Sequence, residues 1–281
     1  MKIAFSTIAC PQWTLDEAVN AASKLGFIGV EMRSFHDQSV ELSSDPYEIK
    51  PHSIKSVFDD AGVVPLSFAT SVRFDKPINP PVIGRVFLNE EAGVSDAKNY
   101  VDLAGQSGTK FVRVFGCNLP AAEPVSWSMT RVINRLRLAA QTARNTDVRM
   151  VIENAGSFAR ATDLLGLINE VRSPFLGVSY NTLASVNIGG CPIEDVKALK
   201  DHIKIIKICD VDSDGNAVKL GEGILPLEKF IATLSEIQYD GWIVYEYPKL
   251  WDSSLSDDPE SVLKHAAETL YSWMNAAVVN C

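Results

Sequence analysis

Met1-Lys-Ile-Ala-Phe-Ser-Thr-Ile-Ala-Cys-Pro11 runs from an apolar, strand-like stretch straight into a turn that contains no glycine. That turn decides between two architectures. A doubly wound open sheet usually follows its first strand with a glycine-rich loop, whose backbone amides cradle a phosphate. Residues Ser6 to Pro11 offer no such loop, so a closed barrel fits better. Working outward from it, similar apolar runs recur at 27–32, 63–69, 109–115, 147–153, 175–181, 202–209 and 241–247. Most are rich in Val, Ile and Phe without a break, which is how strands buried on both faces read.

Helical patterns fill the intervals. Thr14-Leu-Asp-Glu17 has an N-cap threonine with glutamate three positions on, opening a helix that Gly26 closes. Asp59-Asp60-Ala61-Gly62, Ala104-Gly105-Gln106-Ser107-Gly108 and Gln238-Tyr239-Asp240-Gly241 close other helices just before a strand. A stretch near 128–144 carries Val132, Leu136, Ala139 and Ala140 on one stripe. Eight strand–helix alternations in 281 residues predict an α/β fold, one closed (β/α)8 barrel spanning 1–274 as a single domain. Residues 275–281 read as a frayed tail, and Lys76-Pro-Ile-Asn-Pro-Pro81 as a long loop and candidate lid.

Composition narrows the function classes. A 46% hydrophobic and 22% charged chain is an ordinary globular one with a large core. Net charge is −9, with no basic stripe, which argues against nucleic acid as a partner. The longest uncharged run, Ser173 to Ile193, is interrupted by Ser, Asn, Gly and Pro and is no membrane span. Five cysteines at irregular spacing fit neither a disulfide framework nor a zinc knuckle. With no signal-peptide pattern at the N-terminus, a reducing, cytoplasmic setting is expected.

In a closed barrel, catalytic groups project from the carboxyl ends of the strands. The polar residue ending each apolar run therefore marks the site: Glu31, Arg113, Glu153, Asn181, Lys207 and Glu246. A charge at the end of a core strand is costly unless it is paired, solvated or bound to a ligand. Glu31 has a bland alternative, pairing with an arginine or capping a helix. Arg113 reads first as the buried partner of a strand-end carboxylate, and Lys207 on position alone could snorkel to the rim. Trp13, Phe35 and Phe68 are core residues by default and, together, a candidate apolar wall for a pocket.

Ile203-Lys-Ile-Ile-Lys-Ile-Cys-Asp-Val-Asp212, Leu220-Gly-Glu-Gly223 and Tyr239-Asp-Gly-Trp-Ile-Val-Tyr-Glu246 together resemble the last third of the xylose-isomerase-like TIM barrels. That superfamily includes sugar phosphate isomerases and epimerases. Val151-Ile-Glu-Asn154, Arg113-Val-Phe-Gly116 and Gly26-Phe-Ile-Gly-Val-Glu31 extend the likeness over almost the whole chain. The resemblance implies a divalent metal held by Glu, Asp, His and Glu from the fifth to eighth strands, with the two glutamates acting as acid and base. Carried over by position, the glutamates are Glu153 and Glu246. The aspartate of a typical Asp-Thr-Gly-His pattern falls on Asn181-Thr182-Leu183-Ala184, and the histidine of a typical His-x-Lys-Asp pattern on Lys207-Ile208-Cys209-Asp210.

Two of the four ligands are thus changed. An asparagine oxygen can ligate a hard cation without adding charge, but a protonated lysine repels it. No tightly bound cofactor is expected. A divalent metal (Mn, Mg or Zn), if bound at all, would rest on Glu153, Asn181 and Glu246. Of the four histidines only His36, after the second strand, lies within reach of the site. The expected activity is isomerisation or epimerisation of a small sugar, keto-sugar, polyol or related hydroxy-carbonyl compound. Catalysis is assigned to Glu153, Glu246 and Lys207, and substrate contact to Glu31, Arg113, Asn181, Trp13 and His36. Lys207 is expected to pair with Glu153 or Glu246 and to supply the positive charge a metal usually gives; with a depressed pKa it would suit a Schiff base instead. Elimination at the same site and a non-catalytic sugar-binding or partner subunit are the alternatives. A homo-oligomer is left open.

Overall fold

The computed structural model describes residues 1–35, 40–77 and 92–279. Eight parallel strands close into a barrel: β1 (Lys2–Ser6), β2 (Gly29–Arg33), β3 (Val64–Arg73), β4 (Phe111–Phe115), β5 (Arg149–Glu153), β6 (Leu176–Asn181), β7 (Ile203–Ile208) and β10 (Trp242–Tyr245). A small antiparallel pair, β8 (Asp210–Val211) and β9 (Ala217–Val218), follows β7. The barrel closes where β1 lies between β2 and β10, pairing Ala4 with Val244 and Ser6 with Glu31. No helix of the described residues is long and apolar enough to cross a membrane.

The helices form where the spacing placed them. α1 (Leu15–Leu25) carries the full Thr14–Glu17 capping box, buries Leu15, Ala18, Val19 and Ala22, and stops at Gly26 with φ +83°. The stripe of Val132, Leu136, Ala139 and Ala140 is buried in a helix over Val125–Gln141, starting three residues earlier than its apolar pattern because Pro124 supplies the break. Of the expected tail, 275–281, the described part through Val279 is helical. The last helix runs Pro259–Val279, and Ala277 continues the buried line of Leu263, Ala266, Ala267 and Leu270, so apolar burial holds it. The candidate lid lies mostly outside the described residues.

Two layers of core follow from the strand period of two. Outward-facing residues meet the helices. Inside the barrel, Ala4, Leu66, Val151, Ile205, Trp242 and Val244 form a separate apolar plug. One pleat further along the strands stand polar groups: Ser6 after Ala4, Glu153 after Val151, Lys207 after Ile205 and Glu246 after Val244. The plug therefore shuts one end of the barrel and lifts the polar set toward the other. A register shift between Val30 and Glu31 brings Ser67 opposite Glu31.

Asp210, just past β7, anchors the loop carrying the Leu220-Gly-Glu-Gly223 motif. Its buried carboxylate accepts hydrogen bonds from the backbone N–H groups of Val211 (3.0 Å), Gly221 (2.9 Å), Gly223 (3.1 Å) and Leu225 (3.4 Å). The glycines are what this clasp requires. Gly221 sits at φ +86°, and a Cβ on Gly223 would come within 2.1 Å of Asp210 Oδ1. Glu222 between them is exposed. Asp210→Ala is expected to lower stability by at least about 2 kcal/mol in urea unfolding, since charge-assisted bonds are among the stronger ones. An unchanged midpoint would mean the clasp contributes nothing.

Candidate active site

The strand ends deliver one compact polar cluster. Glu153 closes β5, Asn181 closes β6, Lys207 is the penultimate residue of β7, and Glu246 follows β10. Glu31 and Arg113 stand mid-strand, in β2 and β4, rather than at strand ends. Register pairs Glu153 with Ser179 and Asn181 with Lys207. Glu31, Arg113, Glu153, Asn181, Lys207 and Glu246 lie in this cluster, and Trp13 of the expected substrate set does not. Glu31 is fully buried behind Lys207 and acts as its partner. Trp13 is half-buried and packs against the outer core. His36 lies outside the described residues.

Lys207 is the hub. Its ammonium lies 2.9 Å from Glu31 Oε1, 3.2 Å from Glu153 Oε2 and 2.6 Å from Glu246 Oε1, although its side chain is only 1% exposed. It thus meets both glutamates it was expected to approach, and a third. Arg113 adds a second cation 3.6 Å from Glu153. Asn181 bridges from the other side: its Nδ2 donates to Glu153 Oε1 (3.3 Å) and Glu246 Oε2 (3.2 Å). Its Oδ1 accepts from the Ala184 backbone N–H (3.1 Å), capping a short helix, Thr182–Val186. The amide has one workable orientation, because carboxylates accept and the cap must also accept.

This environment separates the two glutamates. Burial pushes the Glu153 carboxyl up, but Lys207 and Arg113 outweigh it and hold it below the usual carboxylate range. Burial raises Glu246 above that range, helped by the like charges of Glu153 and Glu31 and opposed by Lys207. The two carboxyls are thus driven in opposite directions, Glu153 down and Glu246 up. Burial alone would lower Lys207; Glu153, Glu246 and Glu31 reverse that and raise it. The depressed lysine that Schiff-base chemistry needs is therefore not what the site provides.

The donor set does not fit the divalent metal that the resemblance implies. The atom at the centre of the carboxylates is an ammonium nitrogen, and the Asn181 oxygen is turned to its helix cap. Among the described residues, no group of three or more His, Cys, Asp or Glu is arranged to hold a metal ion.

Arg33 was not singled out in the sequence, yet it belongs at this mouth. The signal was available: it lies two residues beyond Glu31 on the same strand face. Its guanidinium rests 4.0 Å from the ring centre of Phe35 and 5.7 Å from that of Trp251.

A family model described as "Xylose isomerase-like TIM barrel" matches residues 19–273. No curated protein matches the chain in sequence. Among solved structures, an L-ribulose 3-epimerase superposes with TM-score 0.79 at 16% identity, covering 100% of this chain and 97% of that one. The IOLI protein with a bound zinc atom gives 0.78 at 16%, covering 98% and 99%. A D-allulose 3-epimerase from Methylomonas sp. in complex with D-allulose gives 0.75 at 15%, covering 97% and 96%. At these identities the likeness is one of fold.

Removing Lys207 tests the hub. Without the ammonium, burial and mutual repulsion raise the carboxylates. A carboxylate whose folded pKa lies above its unfolded one holds more protons when folded, so acid stabilises the folded state. Lys207→Met is expected to cost about 3–5 kcal/mol near neutral pH. Part of that loss should return as pH falls from about 7 to 5, read by urea unfolding at each pH. A small loss that does not vary with pH would mean that Lys207 does not hold the three glutamates together.

Proposed function

This chain belongs to the xylose isomerase-like TIM barrel family, and on that footing we propose that it is an isomerase or epimerase of a small keto-sugar or related hydroxy-carbonyl compound. One observation carries the reading. Glu153 and Glu246 share both the Lys207 ammonium and the Asn181 amide, yet their proton affinities are driven in opposite directions. A pair of carboxylates separated in this way is what an acid and a base at one carbon require.

Glu153, ionised, takes the proton from the carbon beside a carbonyl. Glu246, with its proton affinity raised and a more accessible side chain (18% against 8%), is the group that delivers a proton to the neighbouring carbon or to the opposite face. Asn181 fixes the distance between them. Lys207 is a positioning residue: buried against the carboxylates, it supplies a fixed positive charge near the developing enolate and no nucleophile. No step is assigned to a metal, because the residues at the centre of the cluster do not suit one. A purely binding protein would have no use for the separation of the two carboxylates.

The test is deuterium uptake from heavy water by a panel of small ketoses, followed by product analysis. Wild-type protein is expected to place deuterium on the carbon next to the carbonyl of its substrate. Glu153→Gln and Glu246→Gln should each reduce exchange by about 10²–10⁴-fold at unchanged melting temperature. The wild-type rate should fall as rising pH strips the proton from Glu246. If both variants turn over a confirmed substrate at the wild-type rate, the assignment is wrong.

A further inference from the structure

Arg33 is a buried cation without a carboxylate partner among the described residues. It is 8% exposed, and its backbone N–H donates to Thr7 Oγ1. Nη1 donates to the Ala69 carbonyl and Nη2 to Ser71 Oγ (2.6 Å), both neutral groups on β3. No ion pair forms between Arg33 and a carboxylate among the described residues, and the glutamate cluster is already engaged by Lys207 and Arg113. A buried charge that is not matched by an opposite one is expensive, and such sites are commonly completed by a ligand.

The surroundings indicate what that ligand is. A guanidinium has five N–H donors in a planar fork, of which Ala69 and Ser71 use only part. The plane is held by Phe35 and Trp251, which meet edge to face with ring centres 5.7 Å apart at 75°. Trp251 is 55% exposed, so this platform opens to solvent. Arg113 adds a second guanidinium, 4.3 Å from the Phe115 ring centre, whose Nε has no hydrogen-bond partner among the described residues. Burial and the like charge of Arg113 pull Arg33 down to about 10, against the pull of Glu31 and Glu153, and it stays cationic at neutral pH. A cavity of about 380 Å³ beside Phe35 is lined by Glu41, Asp45 and Glu48 and would repel an anion.

We propose that Arg33, seated on Phe35 and Trp251, is the subsite for a carboxylate on the substrate, so that the compound handled here is an acidic keto-sugar or hydroxy-keto acid rather than a neutral ketose. A rigid planar fork matches a planar carboxylate with two parallel bonds. The Phe35–Trp251 platform excludes water from one face of that pair. The inference deepens the proton-transfer reading and rests on it for the site. Its test reads binding alone, so failure of the glutamates as acid and base would leave it undisturbed.

Calorimetric titration of D-fructuronate, D-fructose and D-fructose 6-phosphate into the wild-type protein provides that test. D-Fructuronate is expected to bind about 10–100-fold tighter than D-fructose, the range of a charge-assisted pair. Arg33→Met should abolish the preference, and Arg33→Lys should keep part of it. Trp251→Ala, an exposed position whose variant should keep the fold, should reduce it several-fold. Equal affinity for acid and neutral ketose, no binding of the acid at millimolar concentration, or a preference that survives Arg33→Met each overturns the proposal. Tighter binding of the phosphate ester than of the acid would also overturn it, since the site would then read a phosphate.

Discussion

The Lys207 ammonium, held between Glu31, Glu153 and Glu246, is the interaction on which the mouth of this barrel depends. Three carboxylates gathered on inward strand faces repel one another, and in a buried site that repulsion is poorly screened. One cation reaching all three converts mutual repulsion into a shared attraction. The arrangement also accounts for the contrast between the two working glutamates. Glu153 feels both Lys207 and Arg113, whereas Glu246 faces two neighbouring carboxylates and Lys207.

The fold supplies the geometry at little extra cost. Each inward strand position alternates with an outward one, so the apolar plug of Ala4, Val151, Ile205 and Val244 automatically puts Ser6, Glu153, Lys207 and Glu246 one step nearer the mouth. Parallel pairing then aligns them, with Asn181 beside Lys207 and Ser179 beside Glu153. The Asp210 clasp fixes the loop that leaves β7. Rigid strands, rather than loops, carry the groups that must stay in register.

Much of this was legible in the sequence, for identifiable reasons. Glu153, Asn181, Lys207 and Glu246 each interrupt or end a continuous apolar run, and a charge in a strand buried on both faces is costly unless it is paired, as the mid-strand Glu31 and Arg113 also are. Arg33 is masked in the sequence by Glu31, the first polar residue of β2, and is the next residue on the same strand face. Trp251 sits in a loop after β10, where no periodicity points anywhere. In Leu220-Gly-Glu-Gly223 the two glycines do the structural work, by allowing backbone to approach Asp210. The last helix outran its expected end because Ala277 continues a buried stripe across residues that look unremarkable one at a time.

An ammonium at the centre of the carboxylates should exclude a divalent ion from the same place. At about 4 Å and an intermediate dielectric the repulsion between a unit charge and a divalent ion is about 8 kcal/mol. Calorimetric titration of manganese, magnesium and zinc into the wild-type protein and into the double variant Asn181→Asp/Lys207→His addresses that directly. The account predicts no binding at micromolar concentration in the wild type and one equivalent in the double variant, which regains an acidic and an imidazole ligand. One equivalent bound with micromolar affinity by the wild-type protein would contradict it.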